Sequence, residues 1–213
     1  MHTQASVVRP EALRVLRRLM ADELFEGHVL VGGTALALQY GHRLSVDLDL
    51  FSRKPFDSGE YQDHLVERYS WKLSRIGMNL LMGYASEVKI DFVRHDYAWV
   101  RPLVVEQGIR MASPYDIAAM KLNAISQSGQ RQKDFYDVYI LLEHLCADEM
   151  AEAYEEKYPN SNRLIALRSL TYFGDVDFAR EPALMARPIE WSAVTRRLRR
   201  AVVEPFRTFG DDK

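Results

Sequence analysis

The stretch VGGTALALQYGHRLSVDLDLF, residues 31 to 51, constrains this chain more than any other. Residues two apart in a strand project from one face, so Asp47 and Asp49 point together while Val46, Leu48 and Leu50 point to the other. The apolar set calls for a core beneath the strand. The two carboxylates then lie side by side, and a divalent cation that prefers oxygen, such as Mg²⁺, relieves their repulsion. Asp91, inside VKIDFV, is a third acid in the middle of an apolar strand. Three strand-borne carboxylates suit a two-metal site that grips phosphates.

Gly32 and Gly33 fall where a short strand, HVLVGG, gives way to a short helix, TALALQYG, closed by Gly41. Without a Cβ, backbone amides at such a junction can approach a ligand, and the helix turns its positive end toward phosphates. Thr34 adds a hydroxyl. Gly-Gly before a helix is nevertheless more often a tight turn, and D-x-D alone is equally unspecific.

Around this core, Pro10 and the spacing of Leu13, Leu16, Leu19, Met20 and Leu24 predict a helix over 9–26. Residues 58–76 read as helical. Two strands follow in MNLLMGYA and EVKIDFVRH, and RPLVVEQGIRMA completes a sheet edge. At Ser113 the character changes, because SPYD supplies an N-cap serine, a first-turn proline and an acid. Helices are expected near 114–127, 133–146, 148–158, 161–173 and 190–203. The expected fold class is therefore α+β: a mixed sheet with flanking helices over 1–112, then a helical C-terminal domain over 113–213.

Apolar residues make up 47% of the chain and charged ones 27%, which sets aside disordered and fibrous classes. No apolar run approaches the length of a membrane span, and no signal-peptide pattern opens the chain, so a cytoplasmic protein without membrane attachment is expected. The net charge of −2 gives no global pull on nucleic acid, although RVLRRL and RRLRR gather arginines on two helices. Cys146, the one cysteine, sits in an apolar run and reads as core. His28, His64, His95 and His144 show no spacing suited to zinc. P-loop, G-x-G-x-x-G and G-x-S-x-G patterns do not occur.

A strand ending in Gly-Gly, a helix, a D-x-D strand and a later strand with a lone Asp resemble the DNA polymerase β nucleotidyltransferase superfamily. More closely, GGTALALQYGHRLSVDLDLF, VKIDFV, SPYDIAAMKLNAI and KDFYDVYIL resemble, in order, the four motifs of the AbiEii/AbiGii toxin family of nucleotidyltransferases. That resemblance implies a polymerase-β-like fold and an Mg²⁺-dependent transfer of a nucleoside monophosphate from an NTP. By it, Gly32, Gly33 and Thr34 contact the triphosphate, with Arg43 and Ser45 touching phosphate or positioning the metal strand. Asp47 and Asp49 ligate Mg²⁺, and Asp91 is a third ligand or the base for the acceptor hydroxyl. Lys121, with Asp116 in the third motif, neutralises phosphate charge. Asp134 is an active-site acid that holds Lys121, and Asp137, one turn on, is a weaker candidate. Arg131, Lys133 and His42 are nearby polar groups that could meet substrate.

The acceptor implied is RNA, with tRNA ends among the family's substrates, and the partner implied is a cognate antitoxin. Two other readings stay open on the residues: transfer to a small antibiotic-type acceptor, and an idle fold that binds nucleotide or a partner. The joint presence of Asp47, Asp49, Asp91 and Lys121 speaks for activity, since clustered buried charge is costly unless used.

Overall fold

The computed structural model describes residues 1–3, 5–179 and 182–210. The chain divides into two compact units, one of residues 1–98 with 103–112, the other of residues 99–102 with 113–213.

The first unit is built on one sheet. Its elements run α1 (Pro10–Ala21), β1 (Val29–Val31), α2 (Gly32–Tyr40), β2 (Leu48–Ser52), α3 (Ser58–Tyr69), β3 (Trp71–Gly77), β4 (Leu80–Ala85), β5 (Val88–Arg94), β6 (Val104–Glu106) and β7 (Ile109–Met111). In space the strands are ordered β3-β4-β5-β2-β1-β7-β6. The sheet is mixed: β1 with β7 and β2 with β5 are parallel, the remaining pairs antiparallel. Leu48 and Leu50 of β2 and Ile90 and Phe92 of β5 are fully buried on one face. That face packs with the apolar side of α1, where Leu13, Leu16, Leu19 and Met20 are buried.

Three sequence expectations shift here. Helix α1 ends at Ala21, because Asp22 turns to an extended backbone and its side chain accepts from Leu24 N, starting a short 3-10 turn over Glu23–Phe25. The helix expected over 58–76 stops at Tyr69, where Ser70 takes φ 52, and β3 follows. The strand carrying the aspartates begins at Leu48, so Asp47 precedes it and Val46, expected in the core, is 38% exposed.

The second unit is helical: α4 (Pro114–Gln127), α5 (Gln132–Leu141), α6 (Ala147–Lys157), α7 (Arg163–Ser169) and α8 (Trp191–Val203). Ser113 caps α4 by accepting from Asp116 N at 3.1 Å. Asp116 is fully buried, and every contact it makes is structural. It accepts from Val100 N (2.9 Å), Arg101 N (3.2 Å), Ser113 Oγ (2.7 Å) and Lys157 Nζ (2.9 Å). This cluster ties the 99–102 segment to α4 and α6. Cys146 is buried, and burial raises its thiol pKa, so it is an inert core residue. No helix among the described residues is long and apolar enough to cross a membrane.

Candidate active site

Strands β2 and β5 run parallel with Asp49 directly beside Asp91. Register neighbours share a face, so two carboxylates from separate strands stand together on the sheet face opposite Leu48, Leu50 and Phe92. Asp91 is 7% exposed and Asp49 half-buried. Asp47, also half-buried, arrives by a different route, since no strand holds it. The Thr34 hydroxyl donates to the Asp47 carbonyl and lies 2.8 Å from Ser45 Oγ, while Ser45 bridges Val8. Thr34 and Ser45 are therefore turned toward the loop that presents Asp47.

The two glycines have separate reasons. Gly32 opens α2 with φ +67, and a Cβ there would stand 2.8 Å from Asp49 Oδ2. A side chain would meet both backbone strain and the carboxylate. At Gly33 a Cβ would fall 1.9 Å from Arg43 Nη2, so the buried Arg43 guanidinium rests on the glycine backbone. The first turn of α2 thus carries an acid on one glycine and a cation on the next.

Lys89 was not anticipated from the sequence. Its Nζ lies 3.0 Å from Asp91 Oδ2. Burial alone would lower the ammonium pKa, but the Asp91 hydrogen bond and the charges of Asp91, Asp47 and Asp49 outweigh it and raise the pKa. One lysine therefore feels all three carboxylates. The signal was present: Lys89 stands two before Asp91 in VKIDFV and must share its face.

Lys121, Asp134 and Asp137 form a cluster of their own in the helical unit. Lys121 Nζ is 2.6 Å from Asp134 Oδ1 and 2.7 Å from Asp137 Oδ2, with the three side chains 7%, 5% and 0% exposed. Arg131 approaches Asp134 at 3.8 Å. The lysine is no solvated helix residue, and Asp137 engages it as closely as Asp134 does.

The donor chemistry of the sheet face fits a hard divalent cation. Asp91 Oδ1 is buried with no hydrogen-bond partner, an orphan that a cation would satisfy. Among the described residues, no three His, Cys, Asp or Glu side chains already converge as a metal cage. Lys89 supplies positive charge to Asp91 in this arrangement.

A mixed seven-stranded sheet with flanking helices sets neighbouring aspartates beside a glycine-led helix, the α+β architecture that the sequence leads one to expect. A solved Helicobacter pylori protein, provisionally assigned as a nucleotidyltransferase, superposes with a TM-score of 0.59 at 17% identity, covering 96% of this chain and 98% of that one. JHP933 of the same organism gives 0.58 at 18% identity, with 92% of each chain covered. At such identities the likeness establishes the fold. The family described as "Nucleotidyl transferase AbiEii toxin, Type IV TA system" matches residues 14–70 and 75–211, and the chain belongs to it. An uncharacterized protein of Aquifex aeolicus (strain VF5) is 32% identical over 212 residues, spanning 92% of this chain and 97% of that protein. By family the chain is thus a nucleotidyltransferase.

Proposed function

We propose that this protein transfers a nucleoside monophosphate from an NTP to a hydroxyl at the end of an RNA, tRNA included. It would do so in the cytoplasm, as the toxin of a toxin-antitoxin or abortive-infection pair held in check by a cognate antitoxin. The observation that carries the chemistry is the parallel register of Asp49 and Asp91, with Asp91 Oδ1 buried and unpartnered. Type IV membership supports the NTP and the antitoxin.

Asp47, Asp49 and Asp91 would hold Mg²⁺. When bound, the metal supplies charge stabilisation for the phosphates and for the attacking and leaving oxygens. The chain's own groups do the rest. The backbone of Gly32 and Gly33, with Arg43 resting on it, receives the triphosphate. Asp91 takes the proton of the acceptor hydroxyl as the acceptor oxygen bonds to the α-phosphorus. The bond from that phosphorus to the bridging oxygen breaks, and its electron pair leaves with pyrophosphate. Lys121, paired with Asp134 and Asp137, is assigned to phosphate charge by its motif position. Catalysis of this kind is mainly positioning and electrostatics.

The test incubates the protein with Mg²⁺, bacterial RNA and each α-labelled NTP in turn, beside Asp49→Ala. Label is expected in a discrete RNA band with the native protein. Asp49→Ala should lose at least about 100-fold of that rate while still unfolding cooperatively. A fully active Asp49→Ala protein would sink the mechanism. Label on a small acceptor rather than RNA would redirect the substrate assignment.

A further inference from the structure

Beside the carboxylates lies a pocket of about 230 Å³ to which the reaction described above assigns no occupant. It is lined by Asp47 and Lys89, by Arg9 just before α1 and Glu11 in its first turn, and by Tyr84 with the Ser86–Glu87 turn. The cross-strand register is informative. Tyr84 of β4 pairs with Lys89 of β5 on one side and with Lys72 of β3 on the other. One ring, 41% exposed, therefore stands between two lysines on the same sheet face as Asp91. In the next row, Met82 pairs with Asp91 and Arg75 with Met82, so the row leading from the acids to the sheet edge ends in a cation. Both residues of the β4–β5 turn are non-glycine with positive φ, Ser86 at 49° and Glu87 at 65°. A two-residue hairpin turn needs that backbone at both positions, and it fixes where the two side chains sit beside the pocket.

We infer that this pocket is the acceptor subsite, taking the terminal nucleoside of a single-stranded RNA with its base stacked on Tyr84 and its preceding phosphates against Lys72 and Arg75. The inference rests on the nucleotidyl-transfer reading for its direction. Displacement at phosphorus is in line, so the attacking oxygen enters opposite the leaving pyrophosphate. Pyrophosphate is drawn to Gly32, Gly33 and Arg43, on the β1 side of the aspartates. The attacker must then come from the β5–β4 side, which is where Tyr84 and the pocket lie. The chemistry of the walls agrees. An exposed aromatic ring flanked by cations is how proteins hold an unpaired base and its backbone. The mixture of Arg9, Glu11, Ser86 and Glu87 offers donors and acceptors to a neutral polar base, where an all-basic lining would have favoured phosphate alone.

The experiment measures three quantities on the full chain and on Tyr84→Ala, Tyr84→Thr and Tyr84→Trp. These are the affinity for a single-stranded pentaribonucleotide with a free 3′ hydroxyl, the affinity for Mg²⁺-NTP, and label transfer from NTP to that oligonucleotide. Tyr84→Thr keeps a strand-compatible side chain, so loss of the ring is separated from loss of fold. Both ring-deleting variants should weaken oligonucleotide binding, and raise its KM in transfer, by roughly 5- to 150-fold, the range of one base stack. Mg²⁺-NTP affinity should be unchanged, and Tyr84→Trp should bind like the native protein. Equal oligonucleotide affinity in native and ring-less proteins, or none in the native protein, overturns the inference. So does a loss confined to Mg²⁺-NTP binding, which would make the pocket the incoming nucleotide's. Tyr84-dependent binding without any transfer would leave the subsite standing and remove the nucleotidyl-transfer reading. Transfer that ignores Tyr84 would do the reverse.

Discussion

At the scale of single residues, Lys89 is the group whose behaviour best reports on the sheet face. It neutralises Asp91 directly and is held protonated by all three aspartates, yet it keeps 38% of its side chain exposed. A bound cation would compete with it for the same carboxylate oxygens. Lys89→Met should therefore have two opposite effects. In chelator it leaves Asp91 without the Lys89 hydrogen bond and should cost about 1 kcal/mol, the lower end of such losses because water reaches the lysine. With added Mg²⁺ the variant should gain more in unfolding temperature than the native protein, since binding to the folded state alone stabilises by mass action. Thermal unfolding with and without Mg²⁺ checks both. A Mg²⁺-induced rise no larger than the native one would show that Lys89 and the cation do not share a place. Period-2 spacing accounts for the shared face of Lys89 and Asp91 within β5, whereas Asp47 lies outside β2 and reaches the same lysine through the loop that Thr34 and Ser45 hold.

Among the elements, those with strong local signals were readable and those shaped by position in the sheet were not. Helix α4 begins at Pro114 behind its serine cap and runs to Gln127, the bounds that SPYD and the apolar spacing indicate. Strand β3 was absorbed into the preceding helix for a physical reason. It lies at the sheet edge with residues 72–76 all exposed, so WKLSRIG carries no buried alternation to betray a strand. The pairing of α4 with α5 was legible only as a motif, and the structure gives it a mechanism. Lys121 of α4 is buried against Asp134 and Asp137 of α5. Removing one partner of a buried ion pair leaves uncompensated charge, so Lys121→Met should destabilise by about 3–5 kcal/mol, measured by denaturant unfolding. The triple change Lys121→Met, Asp134→Asn, Asp137→Asn removes the stranded charges and should recover a good part of that loss. If Lys121→Met unfolds like the native protein, the cluster does not bind α4 to α5, and the burial of Lys121 would need another cause.

For the molecule as a whole, what the sequence could not show is which distant segments meet. Nothing local in SVDLDLF or VKIDFV says that Asp49 will stand beside Asp91, because their strands are separated by α3, β3 and β4 and come together only through the parallel β2–β5 pairing. The parallel insertion of β7 beside β1 is equally non-local. The same long-range assembly buries His28 at a junction of Phe25, Phe56, Tyr61 and Phe92, and this sets how the folded chain responds to acid. Neither ring nitrogen has a partner, and burial first, then the charge of Arg110, lowers the pKa from 6.5 to about 4. Below pH 6.5 the unfolded chain takes up a proton at His28 that the folded chain refuses, so stability falls with acid. The loss is complete only near pH 4 and amounts to about 3 kcal/mol. Asp22 adds a second fall at lower pH. Burial would raise its carboxyl pKa, but hydrogen bonds from His64, Tyr69 and Leu24 and the His64 charge outweigh it and lower the pKa from 3.8. That contribution is present above 3.8 and disappears as pH drops through the folded value. His28→Leu keeps the site apolar and removes the first titration. Its denaturant midpoint should therefore stay nearly level between pH 7 and 4.5, where the native midpoint declines. Parallel declines in the two proteins would mean that His28 is not the group that makes the folded chain acid-sensitive in that window.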